Sequence, residues 1–269
     1  MSLLEAVVLG FVQGITEFLP ISSTAHLIIV PKFMGWQEPP LVFDTTLHLA
    51  TAAALILYFW KDLVAILLAL VKDILYRKMD LRAYSQDSVL GLKILVGSIP
   101  AGILGFFYES AFEEVFRGII TVAVFLLLGS FLMFVAEKFF RHTKSETSFL
   151  GSFCVGLFQS LALFPGVSRS GATISGSMMV GLNRKEAARF SFLLSIPIVV
   201  LAGMYKLVSS FGQMSTVLIP LSVGFLTSTI VGVMVIGFLI RFLSKKDLTS
   251  FIVYRLVLAF LLVVVYVAH

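Results

Sequence analysis

Charge is what this sequence has least of. Only 13% of its 269 residues are Asp, Glu, Lys or Arg, while 59% are hydrophobic and the mean hydropathy is +1.03. So few charges exclude an ordinary soluble domain and place the chain among polytopic membrane proteins. Cysteine is nearly absent too. Cys154 stands alone in an apolar run, which excludes an intrachain disulfide and predicts a small buried hydrophobe. Met1-Ser2-Leu3-Leu4-Glu5-Ala6 has no basic residue, so the n-region of a signal peptide is missing, and Glu17 interrupts the first apolar run. The segment is expected to stay in the mature protein. The net charge is +5, but aromatic and basic residues are not interleaved as a nucleic-acid groove needs, which excludes DNA and RNA as partners.

What the chain does have is long apolar stretches. A bilayer crossing takes about 20 mostly apolar residues. Six stretches qualify, near 45–60, 89–107, 118–137, 190–208, 217–240 and 250–268, with Lys93 and Arg255 close enough to their ends to reach the interface. Two more apolar regions, 2–31 and 149–182, are interrupted by Pro, Gly, Ser and polar groups, and each half is too short to span. They predict re-entrant helix pairs, because irregular backbone at membrane depth is tolerated where it lines a cavity. Ordinary kinked spans are the alternative.

Sixteen of the twenty Lys and Arg, from Lys61 through Arg82 and Lys93, Lys138 to Lys144, Arg184 to Arg189, and Arg241 to Arg255, can all be assigned to one side. The positive-inside rule makes that side cytoplasmic. Glu109, Glu113 and Glu114 then fall outside in a 108–117 loop, and both termini face outward. A shift of 146 residues lays Gly10 on Gly156, Gln13 on Gln159, Phe18 on Phe164 and Ser22 on Ser168, and sets Ser23 against Arg169. Three spans follow each copy, so the second copy is inverted, and such repeats share a site where their broken helices meet. The expected fold is one all-α polytopic membrane domain: six transmembrane helices plus two re-entrant helix pairs in an inverted-topology repeat, about 1–145 and 146–269.

Arg169 is the most telling residue. It lies in Pro165-Gly166-Val167-Ser168-Arg169-Ser170-Gly171-Ala172-Thr173, within an otherwise uncharged stretch from Phe149 to Asn183. A guanidinium at membrane depth costs about 2.5–3.5 kcal/mol on insertion scales, so it needs an anion or a wet cavity. Ser168, Ser170 and Thr173 surround it with donors, and phosphate is the anion that suits such a set. In the first copy, Gln13 and Glu17 share a helix face at i and i+4, either as oxygen ligands for a hard divalent cation or as a helix-stabilising hydrogen bond. Ser22, Ser23, Thr24 and His26 follow, combining a nucleophile, donors and an acid/base group with a helix N-cap. A structural ion pair between Arg169 and Glu17 is a further reading. Asp44 and His48, also at i and i+4, are a softer signal, since His48 reads more readily as a satisfied core histidine.

On these residues the chain resembles the bacterial undecaprenyl-diphosphatases of the bacitracin-resistance type. The likeness runs through Gln13 to His26, Phe43-Asp44 with Leu47-His48-Leu49, and Pro165 to Thr173, and covers nearly the whole length. It implies an integral phosphatase of the bacterial cytoplasmic membrane. Such an enzyme converts undecaprenyl diphosphate to undecaprenyl phosphate, recycles the lipid carrier of peptidoglycan synthesis and confers bacitracin resistance. It also implies a divalent cation, Mg2+ or Ca2+, a site open to the outer face, and membrane lipids as neighbours, with a homodimer left open.

Carried onto this sequence, the catalytic group is Ser23, Glu17, His26 and Arg169, with Ser23 as nucleophile activated by Glu17 or His26. Phosphate contacts fall on Ser22, Thr24, Ser168, Ser170 and Thr173. Many relatives have Glu where this chain has Gln13, which keeps an oxygen ligand but loses a charge. Direct attack by water, with Ser23 only orienting phosphate, stays open. So does a transporter or lipid flippase, whereas a non-catalytic scaffold leaves Glu17 and Arg169 unexplained.

Overall fold

The computed structural model describes residues 1–77, 80, 83–116, 118–209 and 218–268. Lys78 and Arg82 lie outside the described residues, as do the side chains of Arg77, Glu109, Glu113 and Glu114. The described residues form helices α1 (Leu3–Thr16), α2 (Ser23–Met34), α3 (Leu41–Tyr58), α4 (Trp60–Arg77), α5 (Gln86–Phe116), α6 (Ile119–Phe139), α7 (Phe149–Ser160), α8 (Arg169–Met179), α9 (Arg184–Ser209), α10 (Leu218–Leu243) and α11 (Thr249–Ala268). Six of them, α3, α5, α6, α9, α10 and α11, contain stretches long and apolar enough to cross a membrane. The chain is an all-α polytopic membrane protein, and large apolar side chains such as Phe106, Phe131 and Phe260 cover its outside.

The two interrupted regions are built alike. Ser2 caps α1, accepting from Glu5 N at 3.2 Å, while the Glu5 carboxylate accepts from Ser2 N at 2.9 Å, a reciprocal cap. Ser148 caps α7 from the equivalent place. Both short helices then stop, the chain turns, and a second short helix starts behind a serine at positive φ: Ser22 at 72° before α2 and Ser168 at 73° before α8. Non-glycine residues rarely adopt that conformation, and it costs about 1–3 kcal/mol where it is held. That both breaks adopt it 146 residues apart makes it a property of the design.

Packing exchanges the two halves. α1 lies along α10 and α7 along α5, so each half's first helix is seated in the other half, while α3 meets α9 and α6 meets α11. Association inside a bilayer relies on close approach, because lipid is as apolar as leucine. Gly10 permits it: a Cβ there would sit 2.7 Å from the Gly224 carbonyl oxygen. Gly156 does the same for α7 against the Gly97 carbonyl. The largest buried apolar cluster, including Phe18, Leu55, Met133, Ile174, Phe192 and Ile236, draws on both halves.

Four expectations need correction. The region 108–117 is not a loop through most of its length, because α5 continues to Phe116. There Phe112 and Phe116 pack on Phe164 with centroids 4.7 and 5.4 Å apart. α4 is an additional helix. Asp73 ties it to the start of α5 by accepting from Ser85 N, Ser85 Oγ and Ser88 Oγ at 2.7 to 2.8 Å. Cys154 is half-buried rather than buried. Arg255 does not reach an interface; it is fully buried. Lys93 pairs with Glu146 at 3.6 Å, and Arg184 with Glu137 and Arg189 with Asp62 gather at that same end of the bundle.

Candidate functional site

The two breaks face each other, and the chemistry sits between them. Glu17 terminates α1, its backbone N–H donating to Gln13 O at 3.0 Å, and its carboxylate is buried. One carboxylate oxygen pairs with the Arg169 guanidinium at the start of α8. The other accepts from Ser23 Oγ at 2.7 Å and from Gln13 Nε2 at 3.1 Å. Ser23 and Arg169, from the two different breaks, thus share one carboxylate. The Arg169–Glu17 ion pair among the sequence readings is present.

A cavity of about 640 Å3 opens beside this pair. Its polar wall carries Glu17, Ser22, Ser23, Thr24, Ser168 and Arg169, so the first turns of α2 and α8 both border it. Helix N-termini hold partial positive charge and unpaired N–H groups, which together with Arg169 favour an anion such as phosphate. The opposite wall is apolar, with Ala101, Gly102 and Phe106 from α5 and Ile198, Val199 and Leu201 from α9. One end of the space suits charged oxygens and the other a hydrocarbon chain.

Not every nominated residue reaches it. His26 has both ring nitrogens engaged, Nδ1 with Ser22 O at 2.7 Å and Nε2 with Tyr254 OH at 2.6 Å, and its ring stacks on Tyr254. It touches neither Ser23 nor the cavity wall, and the Ser23 hydroxyl donates to Glu17 instead. Thr173 is buried, donating to Arg169 O at 2.7 Å and sharing a hydrogen bond with Ser191. Ser170 donates to Leu19 O at 3.1 Å, which stitches the second break to the first. Ser22 and Ser168 accept from Ala25 N and Gly171 N as helix caps.

His48 corrects the sequence in the other direction. It is no core histidine: its side chain is 39% exposed, lines the cavity, and brings Nδ1 to 3.7 Å from Glu17 and 3.3 Å from Gln13 Nε2. Asp44, one turn earlier on α3, is partly buried and does not border the cavity. Two contributors were missed. Gln159, the repeat mate of Gln13, lines the cavity, and the 146-residue shift had already singled it out. Arg255 lies behind both breaks, and its signal was an arginine inside an apolar span.

Gln13 and Glu17 meet on one face of α1, as their spacing predicts. Gln13 turns its NH2 group toward Glu17 and leaves Oε1 buried without a hydrogen-bond partner, while Arg169, Ser23 and Gln13 occupy both Glu17 oxygens. Among the described residues no group of three or more His, Cys, Asp and Glu comes together.

The family described as bacitracin resistance protein BacA matches residues 6–261. A protein of Pelobacter propionicus named undecaprenyl-diphosphatase is 39% identical over 262 residues, covering 96% of this chain and 94% of the relative. Proteins of the same name from Myxococcus xanthus and Geotalea daltonii are 39% and 40% identical over 267 and 269 residues. Each alignment covers 98% of this chain, with 89% and 98% of those relatives.

Proposed function

We propose, since this chain belongs to the family of the bacitracin resistance protein BacA, that it hydrolyses undecaprenyl diphosphate to undecaprenyl phosphate and inorganic phosphate. The observation that carries the reaction is the junction of the breaks. A serine hydroxyl donates to a buried carboxylate at 2.7 Å, and that carboxylate pairs with an arginine beside a half-apolar cavity. The diphosphate enters between the α2 and α8 N-termini, and the prenyl chain lies against α5 and α9.

Ser23 Oγ attacks the terminal phosphorus and its proton passes to Glu17. The bond from that phosphorus to the bridging oxygen breaks, and undecaprenyl phosphate leaves. Water then cleaves the phosphoserine, releasing phosphate and restoring Ser23. Phosphoryl transfer depends mainly on positioning and charge stabilisation. Arg169, shared with Glu17 at rest, turns its donors to the phosphate oxygens. Direct attack by water with Ser23 as an orienting donor gives the same products, and a Ser23→Ala variant with near-normal turnover and weakened binding would select it. A divalent cation would accompany the substrate's diphosphate and offset charge on its oxygens.

The protein acts in the bacterial cytoplasmic membrane with its termini and cavity facing outward, recycling the lipid carrier of peptidoglycan synthesis and so resisting bacitracin. The positive-inside rule supports that orientation. Paired broken helices also suit a lipid flippase or transporter. Detergent separates the two, because it leaves no compartments to transport between. Purified protein in detergent is expected to release inorganic phosphate from undecaprenyl diphosphate. Absence of release under every divalent-cation condition tried would overturn the hydrolase in favour of transport.

A further inference from the structure

Arg255 on α11 is fully buried, and its partners are one hydroxyl and four backbone carbonyls. Nε donates to Ser130 Oγ at 3.0 Å and Nη2 to Leu126 O at 3.0 Å, both on α6. Nη1 donates to Pro20 O at 3.3 Å, and Nη2 also donates to Gly166 O and Val167 O at 3.0 Å. Pro20 lies in the first break, two residues before Ser22. Gly166 and Val167 lie in the second, immediately before Ser168. One guanidinium therefore grips both turns, just upstream of the serines held at positive φ. The next residues in each turn are Ser23 and Arg169.

The surroundings are shaped for this contact. A Cβ on Gly129 would collide with Arg255 Nη2 and stand 2.6 Å from Val167 O, so α6 carries no side chain where the guanidinium passes. Next to Arg255, Tyr254 holds His26 of α2. Neither residue borders the cavity. A planar fork of five N–H donors can span acceptors on three segments, which an ammonium point charge cannot do.

We infer that Arg255 is a positioning residue: it clamps the two helix breaks to α6 and so sets Ser23 against Arg169 across the phosphate site. The clamp serves the hydrolysis proposed above. Lysine at this position keeps the positive charge and loses the fork, which separates geometry from electrostatics. Misplacing reacting groups by about 1 Å costs on the order of 10²-fold in rate.

The test is Arg255→Lys in the full chain, with Gly129→Ala as an independent perturbation of the same contact. Two readouts are taken on protein of unchanged helical content: amide hydrogen exchange, and kcat and KM for undecaprenyl diphosphate. Expected is faster exchange in both turns, 19–25 and 164–171, with kcat falling about 10²-fold and KM changing far less. The Gly129→Ala/Arg255→Lys pair is expected to lose little beyond the worse single variant, since both break one contact. Exchange that rises in neither turn, or in only one, overturns the clamp whatever the protein hydrolyses. Unchanged kcat with both turns loosened overturns its role in positioning. Absence of hydrolysis in the wild type counts against the proposed reaction, and the exchange result still decides the clamp.

Discussion

Both oxygens of Glu17 are taken, one by Arg169 and one by Ser23 with Gln13. The carboxylate thus orients the serine while supplying the counter-charge of an arginine that borders the cavity. Glu17→Gln keeps the shape and removes both services. Losing a proton acceptor lowers turnover about 10²- to 10⁴-fold, and leaving the cavity-facing arginine without its counter-charge costs about 1–3 kcal/mol. Phosphate release and thermal unfolding in detergent read the two effects separately, and wild-type turnover in this variant would remove Glu17 from the reaction. His26 makes the contrasting case. Tyr254→Phe leaves its Nε2 unpartnered, so stability falls by about 1–3 kcal/mol, while kcat per folded molecule changes far less than in Ser23→Ala. The sequence singled out Ser23, Glu17 and Arg169 because charges and hydroxyls stand out in apolar surroundings. It could not say which nitrogen, oxygen or hydroxyl faces which, and so it misplaced His26, Thr173 and His48.

At the level of elements, the broken pairs were legible because proline, glycine and serine interrupt runs that would otherwise span. α4 was not, since Lys61, Asp62, Lys72 and Asp73 dilute an apolar face that repeats at helical spacing. The continuation of α5 was hidden as well. Glutamates at 109, 113 and 114 suggest a loop, and the aromatic packing on Phe164 that supports the helix is tertiary. Arg255 was misread for a related reason: an arginine near the end of a span can reach water or turn inward, and the carbonyls that draw it inward come from residues far along the chain. The seating of α1 on α10 gives a prediction of its own. Gly10→Ala forces a methyl to within 2.7 Å of Gly224 O, and such overpacking costs about 1–3 kcal/mol. Gly102→Ala, whose methyl would meet Ile198 at an ordinary 3.5 Å, should leave the melting temperature unchanged. Equal melting temperatures for the two variants would contradict the tight α1–α10 contact.

For the whole molecule, the exchange of short helices between halves explains why a site can sit deep inside a chain with so little charge. Each half supplies one broken turn and the other half supports it. The ion pairs of Arg184, Arg189 and Lys93 gather at one end, and the α2–α3 connection lies at the other. In a Cys154→Ser background, Gln37→Cys should react with an impermeant thiol reagent on intact cells, and Lys245→Cys only after permeabilisation. The reverse pattern would invert the proposed topology. One seam, made by Ser23 and Arg169 from opposite halves, is proposed to break the diphosphate. Its most direct test is phosphate release from undecaprenyl diphosphate by purified Ser23→Ala and Arg169→Ala proteins that remain folded. Each is predicted to lose at least about 10²-fold in kcat/KM, the scale of losing a transition-state donor, whereas either variant retaining the wild-type kcat/KM would mean that the diphosphate is broken without this seam.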